Sequence, residues 1–253
     1  MKKKLKHLLC CVADLLLPRL CIVCGERLIT AEKHLCLKCL SDLPSTYFWT
    51  QDHNPMADRF NDLLQARLTL NPISQFEKYA YAVSLMYYKE GGDYCQIQHE
   101  IKYEGNRAAG LFFGRMLGQK IVQSPFLNDI DTVIPVPLHW RRQWKRGYNQ
   151  AEIIARAVAE CLGATVRTDI LYRTRQTRTQ TKLSIEEKSA NVSGAFGIKD
   201  KDSITKENIR HILLVDDVFT TGSTLMACFV ALREVFPPEV RISVATLAFV
   251  GGV

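Results

Sequence analysis

Two rhythms of apolar and polar positions run along this chain, and the change from one to the other marks its parts. From Tyr79 onward strand-like and helix-like runs take turns. Residues 80–88 are β-rich and aromatic, the Gly91-Gly92 turn leads into a helical stretch ending near Lys102, and a second helix is expected over 108–122. Residues 132–136 read as a buried strand stopped by Pro135 and Pro137, and an amphipathic helix follows over about 149–162. A short β segment is expected at 164–167. Beyond a basic, polar region at 173–191 come a strand at 212–215, a helix at 224–235, a break at Pro237-Pro238 and a last strand at 242–247. Strands and helices that alternate with crossover-length connections imply an α/β fold, a parallel sheet covered on both faces. The sequence contains no internal repeat and no low-complexity tract.

Upstream of Tyr79 the rhythm is weaker. Residues 41–75 are polar and broken by Pro44, Asn54-Pro55 and Asn71-Pro72, which reads as a connector with one short helix. Residues 18–44 are cysteine-paired and too few to hold a core of their own, so they need a staple. The expected division is therefore 1–45, an N-terminal helix and small metal module; 46–78, the connector; and 79–253, the α/β domain. Lys2, Lys3 and Lys4 before the apolar run 8–17 imitate a secretory signal, but Asp14 interrupts that run and no small-residue cleavage site follows. An amphipathic helix is the expectation there. No stretch approaches the roughly 18 uncharged apolar residues of a membrane span.

Composition sharpens two points. With 47% apolar residues over 253 positions a core is easily built, so the chain is not expected to be disordered. Between His139 and Lys182 stand ten Lys/Arg against three acids, an excess equal to the whole chain's +7. Such a stretch suits a polyanion, either clustered phosphates or a nucleic-acid backbone, though a solvated basic surface would look the same.

Of nine cysteines, four fall into Cys21-x-x-Cys24 and Cys36-x-x-Cys39, separated by eleven residues. Four thiolates at this spacing suit structural zinc in a ribbon or treble-clef knuckle; a rubredoxin-like iron or a pair of disulfides are the alternatives. Scattered remaining cysteines point to reduced thiols and a cytoplasmic location.

The most informative segment runs from Ile212 through Asp216, Asp217, Thr220, Thr221, Gly222, Ser223 and Thr224. An apolar strand delivers two carboxylates at its C-terminal end, where open α/β sheets bind ligands. A tight turn then opens a helix, so free amides and the positive end of the helix dipole face one spot, and that spot suits a phosphate. Carboxylates next to a phosphate call for ribose hydroxyls or Mg²⁺ as their own targets. Solvent-facing strand caps, a response-regulator acid pair and a Walker B strand are weaker accounts, since none explains the Thr-Thr-Gly-Ser-Thr turn without features missing from this chain.

This segment resembles the phosphoribosyl pyrophosphate signature of type I phosphoribosyltransferases. Val133-Ile134-Pro135-Val136-Pro137, Arg146-Gly147-Tyr148-Asn149-Gln150-Ala151, the spaced set Arg173, Thr177, Gln180, Leu183, Asn191 and Phe196, and Ile101-Lys102-Tyr103 before Gly105 resemble the ComF family of competence-associated proteins, as does the paired-cysteine N-terminus. Lys188 departs from that family, which more often has Arg there. The resemblance implies that Asp216 and Asp217 hold ribose hydroxyls and that 220–224 wrap the 5-phosphate. It also implies that 135–137 form a pyrophosphate loop, where the prolines either permit a cis peptide or merely end a strand. Arg141, Arg142, Lys145, Arg146, Arg173 and Arg175 are candidates for the diphosphate or a nucleic acid, and 173–182 for a mobile loop over the site. Trp140, Trp144 and Tyr148 interleave with these cations as base-stacking platforms would, although burial at a helix start is the role expected of them. The function implied is phosphoribosyl pyrophosphate binding with Mg²⁺, single-stranded DNA binding and action in DNA uptake alongside uptake or recombination proteins. A transferase with an unidentified acceptor and a catalytically silent sensor are the other readings; no catalytic residue is named.

Overall fold

The computed structural model describes residues 18–70, 77–174, 194–199, 201 and 208–251. The expected N-terminal helix, Arg175, Lys188 and most of the expected mobile loop lie outside the described residues.

The strands are β1 (Ala82–Tyr87), β2 (Thr132–Pro135), β3 (Thr165–Val166), β4 (Leu171–Arg173), β5 (Phe196–Ile198), β6 (His211–Phe219) and β7 (Arg241–Phe249). Five of them form one sheet in the order β1-β7-β6-β2-β3, and every pairing in it is parallel. The expected α/β architecture is borne out. β4 and β5 form a separate antiparallel pair that sequence periodicity did not reveal, each being only three residues long.

The helices are α1 (Leu37–Ser41), α2 (Pro55–Leu70), α3 (Cys95–Lys102), α4 (Arg107–Val122), α5 (Trp140–Arg146), α6 (Gln150–Leu162) and α7 (Ser223–Leu232). Alternate residues of the central strands serve opposite layers, because side chains switch face at every step. Ile212, Leu214, Ile242 and Val244 pack with Met56, Phe60 and Leu64 of α2 and Leu225 and Phe229 of α7. Leu213, Val215, Ala245 and Leu247 pack with Ile97 and Ile101 of α3, Phe113 and Leu117 of α4 and Ile154 and Val158 of α6. Two apolar layers explain why β6 is a continuous apolar run and not an alternating one.

The stretch read as a connector carries a 16-residue helix, longer than expected. Asn54-Pro55 opens this helix instead of ending a turn. The Asn54 carboxamide oxygen accepts from the amides of Met56 and Ala57, and its Nδ2 donates to the Ala82 carbonyl on β1. Met56, Ala57, Phe60 and Leu64 are buried, a stripe that the polar residues between them hide from a simple count.

The cysteine module sits against the second layer. Cys21, Leu28, Leu35 and Cys39 share that core with Trp49, Val83 and Ile97. Tyr94 donates its hydroxyl to the Cys39 carbonyl at 2.9 Å.

Candidate functional site

The chain leaves β2 toward β3 at one edge of the sheet and leaves β6 toward β7 on the other side. β2 and β6 are neighbours, so a crevice opens beyond their C-terminal ends, the place where open α/β sheets bind ligands. Asp216 and Asp217 stand in the C-terminal half of β6, just past the last residue paired with β2, and Pro135, Val136 and Pro137 at the C-terminal end of β2. Every peptide bond among the described residues is trans, so these prolines act there as strand terminators.

The two carboxylates are unequal. Asp217 is buried, and its Oδ2 lies 2.9 Å from Lys102 Nζ at the end of α3, in an ion pair whose angle leaves that oxygen without a directed hydrogen bond. Asp216, less enclosed, accepts from the Asp217 amide at 2.9 Å. Burial and the negative neighbour push the Asp216 carboxyl up to about 8. Burial works the same way on Asp217, but the Lys102 ammonium outweighs it and holds that carboxyl below its ordinary value. The pair by itself therefore carries about one negative charge against one ammonium at neutral pH.

Beyond the acids the chain turns into α7. Arg59 of α2 donates from Nη1 to the Thr220 and Val250 carbonyls, each at 3.1 Å, and its guanidinium lies over the Phe249 ring. This pins the turn to the sheet. Gly222 is the N-cap at φ 79°, and a Cβ on it would meet Phe219 Cζ at 2.7 Å and Leu63 Cδ1 at 2.9 Å, so only glycine fits. Gly222 offers no side-chain cap, the Ser223 amide donates to Thr221 Oγ1 at 3.4 Å, and the first amides of a helix have no backbone partner within it. The Thr221 and Ser223 hydroxyls lie 2.9 Å apart beside those amides. Amides, hydroxyls and the positive helix end make a cradle for an oxyanion next to carboxylates suited to hydroxyls or a hard cation.

The segment after β2 arranges the cations. His139, buried, accepts at Nδ1 from the Arg141 amide and starts α5, which was not expected as a helix. Gly147, in the left-handed region, ends it, and the Gly147 amide donates to the Gln143 carbonyl. Tyr148 is buried and donates its hydroxyl to the Ile101 carbonyl. Asn149 caps α6 through its Oδ1 and donates from Nδ2 to the Val136 carbonyl at 3.0 Å. The Arg-Gly-Tyr-Asn-Gln run is thus a helix stop, an anchor and a helix start, which fix the loop after β2.

On α5 the candidates separate by helical spacing. Arg142 and Arg146 are half-buried; Arg146 donates to Gln150 Oε1 at 3.1 Å, lies over the Tyr103 ring and is close enough to Asp217 to favour its charge. Arg173 on β4 lies over the Phe196 ring, and burial, with Arg142 second, depresses its pKa while Asp216 opposes that fall. The crevice therefore gathers Arg142, Arg146 and Arg173 around the acid pair. Arg141 and Lys145 are exposed on another side of α5. Trp140 and Trp144 correct the expectation of burial: they are 65% and 87% exposed. α5 is too short to cover a core, and its inward positions are taken by the arginines.

At the cysteine module, one sulfur from each of Cys21, Cys24, Cys36 and Cys39 lies within 4.8 Å of the others. Gly25, in the left-handed region, donates its amide to the Cys21 carbonyl and closes the first knuckle. Burial disfavours a charged Cys21, but the amides of Cys24, Cys36 and Val23 outweigh it and bring its thiol down to about 7. Burial and the neighbouring thiols push Cys39 up. Four converging sulfurs with no open position are the donor set of a structural soft-metal site.

Comparison with known proteins agrees with the motifs. The chain is 36% identical over 114 residues to Competence protein F of Haemophilus influenzae, covering 44% of this chain and 48% of that protein. It is 32% identical over 130 residues to the DNA utilization protein YhgH of Salmonella typhimurium, covering 50% and 55%. In these relatives, as in the motifs, the chain is similar to the ComF family. A third ComF relative, YhgH of Escherichia coli O157:H7, is 28% identical over 209 residues, or 81% of this chain and 80% of that protein. The chain spans about half the length of the first two relatives. No family model matches it.

Sequence reading missed three members of this site. Lys102 was noted only as part of the Ile101-Lys102-Tyr103 run, although a charge directly following the buried Ile97 and Ile101 was the available signal. Arg59 lies more than 150 residues before the turn it pins, and no local pattern could pair them. His139 gave no signal beyond preceding a short helix. Among the described residues no helix is long and apolar enough to cross a membrane.

Proposed function

We propose that this chain binds phosphoribosyl pyrophosphate with Mg²⁺ in the crevice between β2 and β6, binds single-stranded DNA through its basic surface, and acts in the cytoplasm in DNA uptake. The observation that carries the first part is the acid pair beside the glycine-opened start of α7. In this reading the amides and hydroxyls of 220–224 take the 5-phosphate, Asp216 and Asp217 take the ribose hydroxyls, and Arg142, Arg146 and Arg173 face the diphosphate. Lys102 keeps Asp217 ionised and ready to accept hydroxyl hydrogen bonds. Oxygen donors and an ionisable Asp216 fit a hard cation, and Mg²⁺ would neutralise charge on the diphosphate. The relatives named for competence and DNA utilization support the DNA part. Zn²⁺ is the metal we propose for the four cysteines, since a closed four-sulfur shell suits it and leaves no room for catalytic water.

Calorimetry of the zinc-loaded protein with phosphoribosyl pyrophosphate and Mg²⁺ tests the ligand. Saturable binding that Asp217→Ala abolishes is expected, with DNA affinity unchanged in that variant. Absence of binding by the unaltered protein would refute the reading. Pyrophosphate release assayed over a panel of nitrogen bases then separates a transferase from a binder.

A further inference from the structure

Four of the seven residues of α5 are cations and none is an acid, and the helix shows its two tryptophans to solvent. Trp140 and Trp144 stand at i and i+4, on one side of the helix. Arg141 and Lys145 form the adjoining stripe, and the four side chains line one open concavity. The Arg141 guanidinium lies over the Trp140 ring at 5.1 Å, and the His139 ring is tilted against it with 5.6 Å between centroids and 33° between planes. Trp140 is therefore held in place while 65% exposed, and Trp144, at 87%, is nearly free of the protein. Large indoles left in water beside cations are costly to the protein alone and suit a partner with flat apolar faces and negative charge.

We infer that Trp140 and Trp144, flanked by Arg141 and Lys145, are the base-stacking platform for a single-stranded nucleic acid. The inference rests on the proposed nucleic-acid binding and gives it a site. Four helical residues rise about 6 Å, roughly twice the 3.4 Å spacing of bases in a duplex strand. Each indole thus takes its own unstacked base, and a paired duplex, whose base faces are covered, offers neither. Arg141 and Lys145 meet the backbone. Arg142 and Arg146, on the stripe turned to the acid pair, stay with the small ligand, so one short helix serves two anions on two sides.

The test uses the full zinc-loaded chain and a labelled oligothymidylate, with a duplex of equal phosphate number as control, each at two salt concentrations. Fluorescence anisotropy should show Trp140→Ala/Trp144→Ala binding the single strand about tenfold more weakly or worse, with duplex affinity and salt dependence unchanged. Trp140→Phe/Trp144→Phe should retain most of the affinity that the alanine substitutions lose. Arg141→Ala/Lys145→Ala should weaken both nucleic acids and flatten the salt dependence. If the alanine pair folds poorly, the leucine pair, apolar but without a stacking face, replaces it with the same expectation. Unaltered protein that binds no single strand removes the nucleic-acid reading and this site with it. Unaltered protein that binds, with an alanine pair that binds equally well, overturns this site alone. Loss of binding to phosphatidylserine vesicles, with oligothymidylate affinity intact, also overturns it and assigns the indoles to a lipid surface.

Discussion

The four cysteines and the two aspartates both crowd groups whose charged forms repel one another, but the aspartates have the Lys102 ammonium at 2.9 Å while Cys21 is favoured only by backbone amides and neighbouring thiols. In the first case the neutralising cation is part of the chain and arrives from α3 with the fold. In the second the proposed Zn²⁺ would supply it. On the proposed reading the acid pair is ready before its ligand binds, whereas the cysteine module would take its shape from the metal. The surroundings agree: Asp216 and Asp217 lie within the nine-residue β6, which pairs with β7 past them and with β2 up to Val215, while the cysteines lie on turns and the five-residue α1.

The widest effect expected from this contrast is that of chelation or Cys39→Ser. Either should release one metal per chain and unfold the module, exposing Leu28 and Leu35 and lowering the melting temperature by on the order of ten degrees. Scanning calorimetry with metal analysis checks it. The same chelation should leave Mg²⁺-dependent ligand binding at the acid pair in place at temperatures below the new midpoint. Next in size is Lys102→Met, which strips Asp217 of its cation. Breaking a buried pair from one side costs roughly 3 kcal/mol, readable in urea denaturation, with the metal content unchanged. A variant as stable as the original protein would show that the acid pair does not depend on Lys102.

The smallest effect is a slope. In the folded chain Asp216 sits near 8, above its ordinary 3.8, so the native state keeps a proton that the unfolded state has released across that window. Stability from this group should fall as pH rises from about 4 to 8, and Asp216→Asn should remove that fall. Asp217 has the opposite sign. Its pKa is depressed, so its contribution is present above the ordinary 3.8 and is lost as pH drops through the lower folded value. Ligands that need an ionised Asp216 should bind more tightly toward pH 8 and release protons, which calorimetry in buffers of different ionisation enthalpy detects.

The same two regions show what the sequence carried. The cysteine spacing was enough to bring four sulfurs together, because a knuckle is local and the ligands lie within 19 positions of one another. The apolar run before Asp216 and the glycine turn after it were also local, and the strand, the turn and α7 stand close to where the pattern set them. What completed the acid site was not local. Lys102, Arg59 and Arg173 reach it from a helix, a helix and a two-stranded pair that the topology alone brings to the crevice. α5 was hidden because seven residues with four cations have no apolar stripe to reveal a period, and its exposed tryptophans read as core only while it had no place in the fold.

A crystal structure of the zinc-loaded protein soaked with phosphoribosyl pyrophosphate and Mg²⁺ puts the central claim to its most direct trial. The account requires the 5-phosphate to sit on the amides at the start of α7, within hydrogen-bond distance of Thr221 or Ser223, with the ribose hydroxyls on Asp216 and Asp217 and Lys102 still beside Asp217. A sugar phosphate bound elsewhere, or a crevice left closed at saturating ligand, would contradict it.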